Sequence, residues 1–410
     1  MNPGELVTFF FLFTTLYFEV FLLVTFLENR KEMGKETLTP EYFPSVTVAV
    51  PCWNEEKTVS GTIQSLLSLR YPKEKLSIIA VDDGSTDGTW HALQEFKNHP
   101  QVRLYQKENG GKFTVLNFAI THSESDLFGC LDADSYVDSQ ALLRIVKRFE
   151  NKKIMAVTPS IHILEPKTPI ELLQKAEFTL SIFIRKVFAL LGSVYITPGP
   201  FSFFRREVFA EIGGYKHAHN TEDMEIAMRM QKAGMKIDNA HDAYVYTHPQ
   251  KTVYRLYRQR LRWIHGGFEN LLDYRSMFFK KKYGNLSYFV LPAAILSVCS
   301  GLYFVAFALW NVVNFASGKI AEAEVIGAEA FAPSIHLNWF FLNTNPIGII
   351  SAILLLLSLS TILAGKYIGE KTALPSRDII YFILFYGILS PFWLIKAIWN
   401  TALSRKTSWR

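Results

Sequence analysis

Two carboxylates one residue apart, Asp132 and Asp134, directly follow an apolar run that ends at Leu131. A pair with this spacing can bind a hard divalent cation such as Mg²⁺ or Mn²⁺, and the cation can bridge the oxygens of a diphosphate. An ordinary acidic turn would show the same pattern. The pair therefore predicts a metal and diphosphate site, with Asp132 also touching the donor, if other suitable residues lie nearby.

A second acidic pair, Glu222 and Asp223, opens a predicted helix that Thr221 or Asn220 would cap. Displacement at the anomeric carbon of a sugar needs a base that takes the proton of the acceptor hydroxyl. We predict Asp223 to be that base, with Thr221 and Glu222 beside it in the catalytic group. Acids are also common at helix starts for purely structural reasons.

Side chains suited to a nucleoside lie in two predicted loops after strands: Trp53 and Glu55 in one, and Asp83 in the other. Carboxylates can accept hydrogen bonds from a uracil N–H or from ribose hydroxyls, and an aromatic ring can stack on the base. Because Asp82-Asp83-Gly84-Ser85 is also a common turn sequence, a structural role for Asp83 remains open.

Two further groups carry positive charge. In Asn109-Gly110-Gly111-Lys112 the glycines would let the backbone approach a phosphate, and Lys112 would balance its charge, although a solvated turn is the alternative. In Gln259-Arg260-Leu261-Arg262-Trp263, the side chains of Gln259, Arg262 and Trp263 share one face of a helix. Arg262 could grip a diphosphate and Trp263 could stack on an acceptor sugar; an interfacial aromatic–basic helix is the alternative.

The elements that would position these groups alternate between strand and helix. Strands are predicted at Val46–Val50, Leu76–Val81, Val102–Gln106 and Asp126–Leu131, with helices at Val59–Leu69 and Thr86–Lys97. This alternation predicts an α/β domain with a mostly parallel sheet. Ligands of such sheets bind beyond the carboxyl ends of the strands, which is where the acidic groups fall.

Composition indicates a chain divided between a polar domain and the membrane. Of the 410 residues, 49% are hydrophobic and 20% are charged, and the mean hydropathy is +0.13. The net charge of +6 fits basic residues on the cytoplasmic side of membrane segments, and no motif predicts a nucleic-acid partner. Three widely spaced cysteines, Cys52, Cys130 and Cys299, argue against a disulfide framework or a zinc site.

Four apolar runs are long enough to suggest membrane spans: Leu6–Leu27, Leu286–Phe315, Pro346–Gly365 and Ile379–Asn400. Arg30, Lys31 and Lys35 follow the first span, which predicts an outside N-terminus and a cytoplasmic domain. Thr252–Tyr274 predicts a helix in the membrane interface, and Lys280-Lys281-Lys282 marks the cytoplasmic side of the next span.

One prediction conflicts with the others. Four spans would place Arg405, Lys406 and Arg410 outside, against the usual charge bias, unless the segment around Pro391 and Lys396 forms a kinked hairpin or an interfacial helix. The loop from Ala316 to Asn345, poor in Lys and Arg, is predicted to be external.

Taken in order, the Asp83 loop, Asp132-x-Asp134, Thr221-Glu222-Asp223 and Gln259-x-x-Arg262-Trp263 make the chain resemble the processive glycosyltransferases of family 2. These include cellulose, chitin, hyaluronan and poly-β-1,6-N-acetylglucosamine synthases. The resemblance covers Val46 to Phe268, and the compact length with one N-terminal span looks most like the poly-N-acetylglucosamine synthases.

The resemblance implies a GT-A fold, an inverting mechanism, a UDP-sugar donor and Mg²⁺ or Mn²⁺. It implies that Trp53 and Asp83 hold the uridine, that Lys112 and Arg262 hold the diphosphate, and that Asp134 holds the metal. We also expect Glu55, Asp132 and Gln259 to contact the nucleotide-sugar, and Asp132 to share the metal. Asp223 would be the base. Trp263 and Gly199, in the loop Pro198-Gly199-Pro200, would contact the acceptor, although cellulose synthases have a Cys-Gly pair there, which weakens a cellulose assignment.

The resulting hypothesis is a multi-pass enzyme of the plasma membrane that extends a β-linked glycan, with UDP-N-acetylglucosamine as the first donor to test. Its partners would be the growing glycan, membrane lipid and accessory export subunits. The predicted parts are a span at 1–30, a cytoplasmic GT-A domain at 44–250, an interfacial region at 251–283 and membrane spans at 284–404. Two rivals remain: transfer of a single sugar to a polyprenyl phosphate or glycolipid, and a non-catalytic export subunit.

Overall fold

The structure, a computed structural model, describes residues 3–30, 39–327 and 346–403. Several residues on which the predicted orientation depends lie outside these ranges: Lys31, Lys35, Arg405, Lys406 and Arg410, with the later part of the loop predicted after Ala316.

The centre of the protein is one eight-stranded sheet with the order β3-β2-β1-β4-β7-β6-β8-β5. Its strands are β1 (Val46–Cys52), β2 (Leu76–Asp83), β3 (Val102–Lys107), β4 (Leu127–Cys130), β5 (Ser135–Val137), β6 (Ile154–Ile163), β7 (Phe203–Arg205) and β8 (Lys236–Thr247). The prediction of a mostly parallel sheet holds for β1 to β4, whose pairings with one another are parallel. The other half is mixed, because β7 runs antiparallel between β4 and β6, and β5 runs antiparallel to β8.

Helices cover both faces of the sheet. They are α2 (Val59–Leu67), α3 (Thr89–Gln94), α4 (Lys112–Thr121), α5 (Ala141–Arg148), α6 (Pro169–Leu190), α7 (Arg206–Ile212) and α8 (Glu222–Ala233). Successive side chains of β1 point to opposite faces of the sheet, which explains the two layers. Val46, Val48 and Val50 lie in one buried cluster with α2, α3 and α5. Ala49 lies in the other cluster with α4, α7 and α8. This α/β arrangement confirms the predicted fold class.

Helix α3 is shorter than the predicted Thr86–Lys97. The Asp87 carboxylate accepts hydrogen bonds from the backbone and hydroxyl of Thr89. Such a local side-chain turn competes with helical geometry, so the helix begins at Thr89.

Four helices are long and apolar enough to cross a membrane, and they make this chain a membrane protein. They are α1 (Pro3–Asn29), α10 (Leu291–Ile326, preceded by a π-helical turn at Leu286–Val290), α11 (Pro346–Glu370) and α12 (Arg377–Ala402). The predicted hairpin around Pro391 is wrong, because α12 continues as one helix through that proline, which membrane helices tolerate. Helix α10 continues past the predicted end at Phe315 because good helix formers follow.

Helix α9 (Val253–Asp273) lies between the sheet domain and the membrane helices, at the place of the predicted interfacial helix. The buried Arg260 guanidinium binds both carboxylate oxygens of Glu177 on α6, at distances of 2.6 to 3.2 Å. The Tyr386 hydroxyl of α12 lies 3.5 Å from the same carboxylate. Three helices are thereby tied together next to the domain.

Candidate active site

The predicted site residues gather at the carboxyl edge of the parallel strands. Asp83 is the last residue of β2, Asp132 follows β4, and Lys112 is the first residue of α4. Since parallel strands end at one edge, these side chains become neighbours although they are far apart in the chain.

Asp83 is buried and holds the glycine turn that precedes Lys112. Its carboxylate accepts hydrogen bonds from the backbone N–H groups of Gly110 (3.0 Å) and Gly111 (2.8 Å) and pairs with Lys107 Nζ at 2.6 Å. Gly111 has φ 88°, a conformation that favours glycine. A nucleoside at Asp83 would therefore have to share these carboxylate oxygens with the protein's own donors.

Trp53 and Glu55 occupy the neighbouring loop after β1, and both are partly buried. The Asn54 side chain accepts a hydrogen bond of 2.8 Å from the Thr86 backbone, which joins this loop to the one after β2. Burial raises the pKa of Glu55 to about 7; a hydrogen bond from Thr58 opposes the rise, and the nearby charges of Asp134 and Asp132 add to it.

Lys112 joins the two predicted acidic motifs. Its ammonium group forms an ion pair with Asp132 and lies 3.8 Å from the Glu222 carboxylate. Burial alone would lower the pKa of Lys112, but the charges of Asp132 and Glu222 outweigh it and raise the pKa. Gly199 lies against Lys112 and Asp132, since a Cβ added to this glycine would lie 3.1 Å from Asp132 Oδ2. The loop predicted to contact the acceptor thus lies against the predicted diphosphate residues.

Asp134 lies beside Asp132 and near His248, a residue that the sequence analysis missed. Burial and the Asp132 charge raise the pKa of Asp134, while a hydrogen bond from Ser135 and the charges of Lys112 and His248 oppose the rise. His248 directly follows β8, and its Nε2 lies 3.4 Å from Tyr136 Oη. Its position after a strand was the only signal available in the sequence.

The chemistry of this acidic pair fits Mg²⁺ or Mn²⁺, because its donors are hard carboxylate oxygens whose repulsion a cation would relieve. Among the residues that the structure describes, no group of three or more His, Cys, Asp or Glu side chains could hold a metal ion by itself. A cation held by one or two carboxylates together with phosphate oxygens is the arrangement that Mg²⁺ commonly adopts.

Asp223 is the second residue of α8 and lies near the charged side chains of Lys112 and Arg262. Burial and the charge of Glu222 raise the pKa of Asp223 to about 6, and the charges of Lys112 and Arg262 oppose this rise. The backbone carbonyl of Asp223 accepts hydrogen bonds from the Thr197 N–H (3.1 Å) and hydroxyl (2.9 Å). The segment that ends in Gly199 is therefore fixed to the predicted base.

Thr221 occupies the N-cap position of α8, but the prediction that its side chain caps the helix is wrong. Its hydroxyl instead donates to the carbonyl of Ala218 (3.1 Å) and accepts from Asn270 Nδ2 of α9 (2.7 Å). A hydrogen bond from Asn270, on another helix, has thus replaced the predicted bond from a backbone N–H of α8.

Of the three predicted residues on α9, Arg262 contacts the segment before Asp223. Its Nη1 donates to the Asn220 carbonyl at 3.3 Å, and its charge acts on Asp223. Gln259 accepts a hydrogen bond from Arg260, and the Trp263 ring centroid lies 4.3 Å from the Arg260 guanidinium. Arg260, which the sequence analysis gave no role, thus orients the other two.

Comparisons with known proteins agree with this architecture. Residues 47–213 match the family described as Glycosyl transferase family 2. A poly-β-1,6-N-acetyl-D-glucosamine synthase of Staphylococcus epidermidis is 28% identical over 312 residues, covering 74% of each chain. The enzyme of the same name from Staphylococcus aureus (strain COL) is 29% identical over 62% of this chain, and the match spans 63% of that relative's length.

Among solved structures, the mannosyltransferase PcManGT from Pyrobaculum calidifontis, in complex with GDP-Man and Mn²⁺, is similar with a TM-score of 0.58. The two sequences are 20% identical, and the match covers 96% of this chain and 99% of that one. At this identity the likeness shows a shared fold. The chain therefore carries a family 2 glycosyltransferase domain at residues 47–213, on a sheet of the GT-A type.

Proposed function

We propose that this enzyme extends a β-linked glycan from a UDP-sugar, with UDP-N-acetylglucosamine as the preferred donor, at the cytoplasmic face of the plasma membrane. The main support is the position of Lys112 between Asp132 and Glu222, with Asp223 and Arg262 close by. The names of the staphylococcal relatives support the choice of donor.

In this proposal the donor lies along the carboxyl edge of the sheet. Trp53, Glu55 and Asp83 hold the nucleoside, and Lys112 and Arg262 balance the charge of the diphosphate. Asp132 and Asp134 hold Mg²⁺ or Mn²⁺, and His248 is a further residue at that place. When bound, the cation would neutralise negative charge that builds up on the departing diphosphate.

The proposed transfer is one in-line displacement. Asp223 takes the proton of the acceptor hydroxyl while the acceptor oxygen forms a bond to the anomeric carbon and the bond from that carbon to the diphosphate oxygen breaks. The electron pair leaves with the diphosphate, next to Lys112. A carboxylate whose pKa is raised to about 6 is a stronger base than an ordinary aspartate and is still ionised at neutral pH.

Extension of a polymer requires that the product terminus stay at the site. Trp263 is 37% exposed, next to the membrane helices, and offers a ring on which the terminal sugar can stack. The charged donor would stay in the cytoplasm while the neutral glycan leaves along the spans. Membrane lipid and accessory export subunits would be the partners of this step.

The test is a donor screen in membranes that contain the enzyme. UDP-N-acetylglucosamine, UDP-glucose and GDP-mannose are compared by nucleotide diphosphate release, and the products are analysed for length and linkage. We expect UDP release with the first donor and a ladder of β-linked products. A single lipid-linked sugar would instead support the rival transfer to a polyprenyl phosphate or glycolipid. If the wild type released UDP no faster than the Asp223→Asn variant, the proposed catalysis would be contradicted.

A further inference from the structure

The chain takes an unusual path just before the predicted base. Ala218, His219 and Asn220 form a short turn in which all three residues have positive φ, at 43°, 55° and 63°. Only glycine adopts this region without cost, so a run of three such residues persists only where surrounding contacts enforce it. This turn, called the 218–220 turn below, leads directly into Thr221 and Asp223.

One face of α9 supplies those contacts. Arg262, Gly266, Asn270 and Asp273 are spaced at intervals of four, four and three residues, so they lie in one stripe along the helix. Arg262 donates to the Asn220 carbonyl, and His219 Nε2 lies 3.1 Å from the Asp273 carboxylate. The two ends of the stripe thus bind successive residues of the turn.

The centre of the stripe fits the turn closely. A Cβ added to Gly266 would lie 2.6 Å from Thr221 Oγ1 and 2.7 Å from the His219 carbonyl oxygen, so only glycine allows this approach. Asn270 is fully buried, and its Nδ2 lies 2.7 Å from Thr221 Oγ1 and 3.4 Å from the Ala218 carbonyl oxygen. The amide therefore satisfies groups of the turn and of Thr221 at once.

We infer that Gly266 and Asn270 are positioning residues, which hold the 218–220 turn so that Asp223 faces Lys112 and Arg262. This inference rests on the proposed function and adds residues to it that touch neither donor nor acceptor. It gives α9 a second task besides carrying Arg262 and Trp263.

Two adjacent glycines of α9 provide a matched test. Gly266→Ala would push against the backbone of the turn, whereas Gly267→Ala meets only Met224 Sδ at 3.8 Å, an ordinary contact. Both substitutions add the same methyl group inside the same helix, so their effects on helix propensity are equal. Sugar transfer, UDP affinity with Mg²⁺ and melting temperature are measured for both full-length variants in membranes or detergent.

We expect Gly266→Ala to lower kcat by about 100-fold, as displacements of about 1 Å can do, and to change UDP affinity less than threefold. Gly267→Ala should behave like the wild type. Moving Asp223 away from the two cations should also shift the acid limb of the kcat–pH profile to higher pH, which a simple loss of folded enzyme would not do.

Asn270→Ala is the second variant and is judged by the same three measurements. Equal kcat values for Gly266→Ala and Gly267→Ala would overturn the inference. So would a Gly266→Ala variant that loses both kcat and UDP affinity while the acid limb of its pH profile stays in place. The same conclusion follows if Gly266→Ala and Asn270→Ala both fail to accumulate while Gly267→Ala does. Product formation by the wild type and by Gly267→Ala tests the proposed function separately.

Discussion

The environment of Asp223 predicts how transfer depends on pH. Burial and the neighbouring Glu222 charge raise the pKa of Asp223 from its ordinary value of 3.8 to about 6. The difference corresponds to about 3 kcal/mol by which the folded protein disfavours the ionised carboxylate. Because a base must be ionised to accept a proton, transfer should fail as the pH falls through this value.

The expected size of the effect follows from the fraction of ionised Asp223. With a pKa of about 6, roughly 90% of the carboxylate is ionised at pH 7 and roughly 9% at pH 5, so kcat/KM should fall about tenfold between them. Below pH 5 the decline should approach tenfold per pH unit. The measurement is kcat/KM for the donor, which reports the pKa of the free enzyme, at saturating metal.

A single substitution separates Asp223 from other titrating groups. Glu222→Gln removes the negative charge that raises the pKa of Asp223, so the acid limb should move to lower pH. Glu211→Gln, on the exposed surface of α7, is the control and should leave the limb in place. An acid limb that stays near pH 6 in the Glu222→Gln variant, or transfer that is flat from pH 5 to 7 in the wild type, would refute the assignment of Asp223 as the base.

Three further substitutions test the proposed roles. Asp223→Asn should lower transfer by at least about 100-fold while UDP affinity, measured by calorimetry, stays within threefold; normal turnover would exclude Asp223 as the base. Asp134→Ala should abolish the part of UDP affinity that depends on Mg²⁺ or Mn²⁺, because one of two neighbouring carboxylates is lost; an unchanged metal dependence would place the cation elsewhere. Trp263→Ala should shorten the products more than it slows donor hydrolysis, as measured with radiolabelled donor, and equal losses would contradict an acceptor role.

The half of the fold that could be predicted from sequence is the half built from local patterns. β1 and β2 are mostly buried runs of seven and eight residues, and each ends near a polar group at the carboxyl edge. β3, at the edge of the sheet, is partly exposed, but Val102, Leu104 and Tyr105 still mark it as a strand. Length and apolar content alone were enough to predict the four helices that are long and apolar enough to cross a membrane.

The remaining strands depend on partners that are distant in the chain. β7 has only three residues and exists because β4 and β6 pair with it on both sides. β6 pairs with β8 with two shifts of register. Neither the antiparallel insertion nor the irregular pairing has a periodic signal, since both depend on tertiary contacts.

The site shows the same division. The types and spacing of Asp132, Asp134 and Asp223 were visible in the sequence, because strand ends and helix starts carry local signals. The bonds of Asp83 to Lys107, Gly110 and Gly111 and the contact of Thr221 with Asn270 were not visible, because each joins residues at least 24 positions apart. Local rules predicted a cap at Thr221, and a buried amide from another helix took its hydroxyl instead.

Helix α9 shows why these distant contacts matter for catalysis. Its first half is fixed to α6 by the Arg260–Glu177 ion pair, which is mostly buried, and breaking such a pair commonly costs about 3 kcal/mol or more. Its second half holds the turn before Asp223. A displacement of α9 relative to the spans would therefore move Arg262, Trp263 and the base segment together.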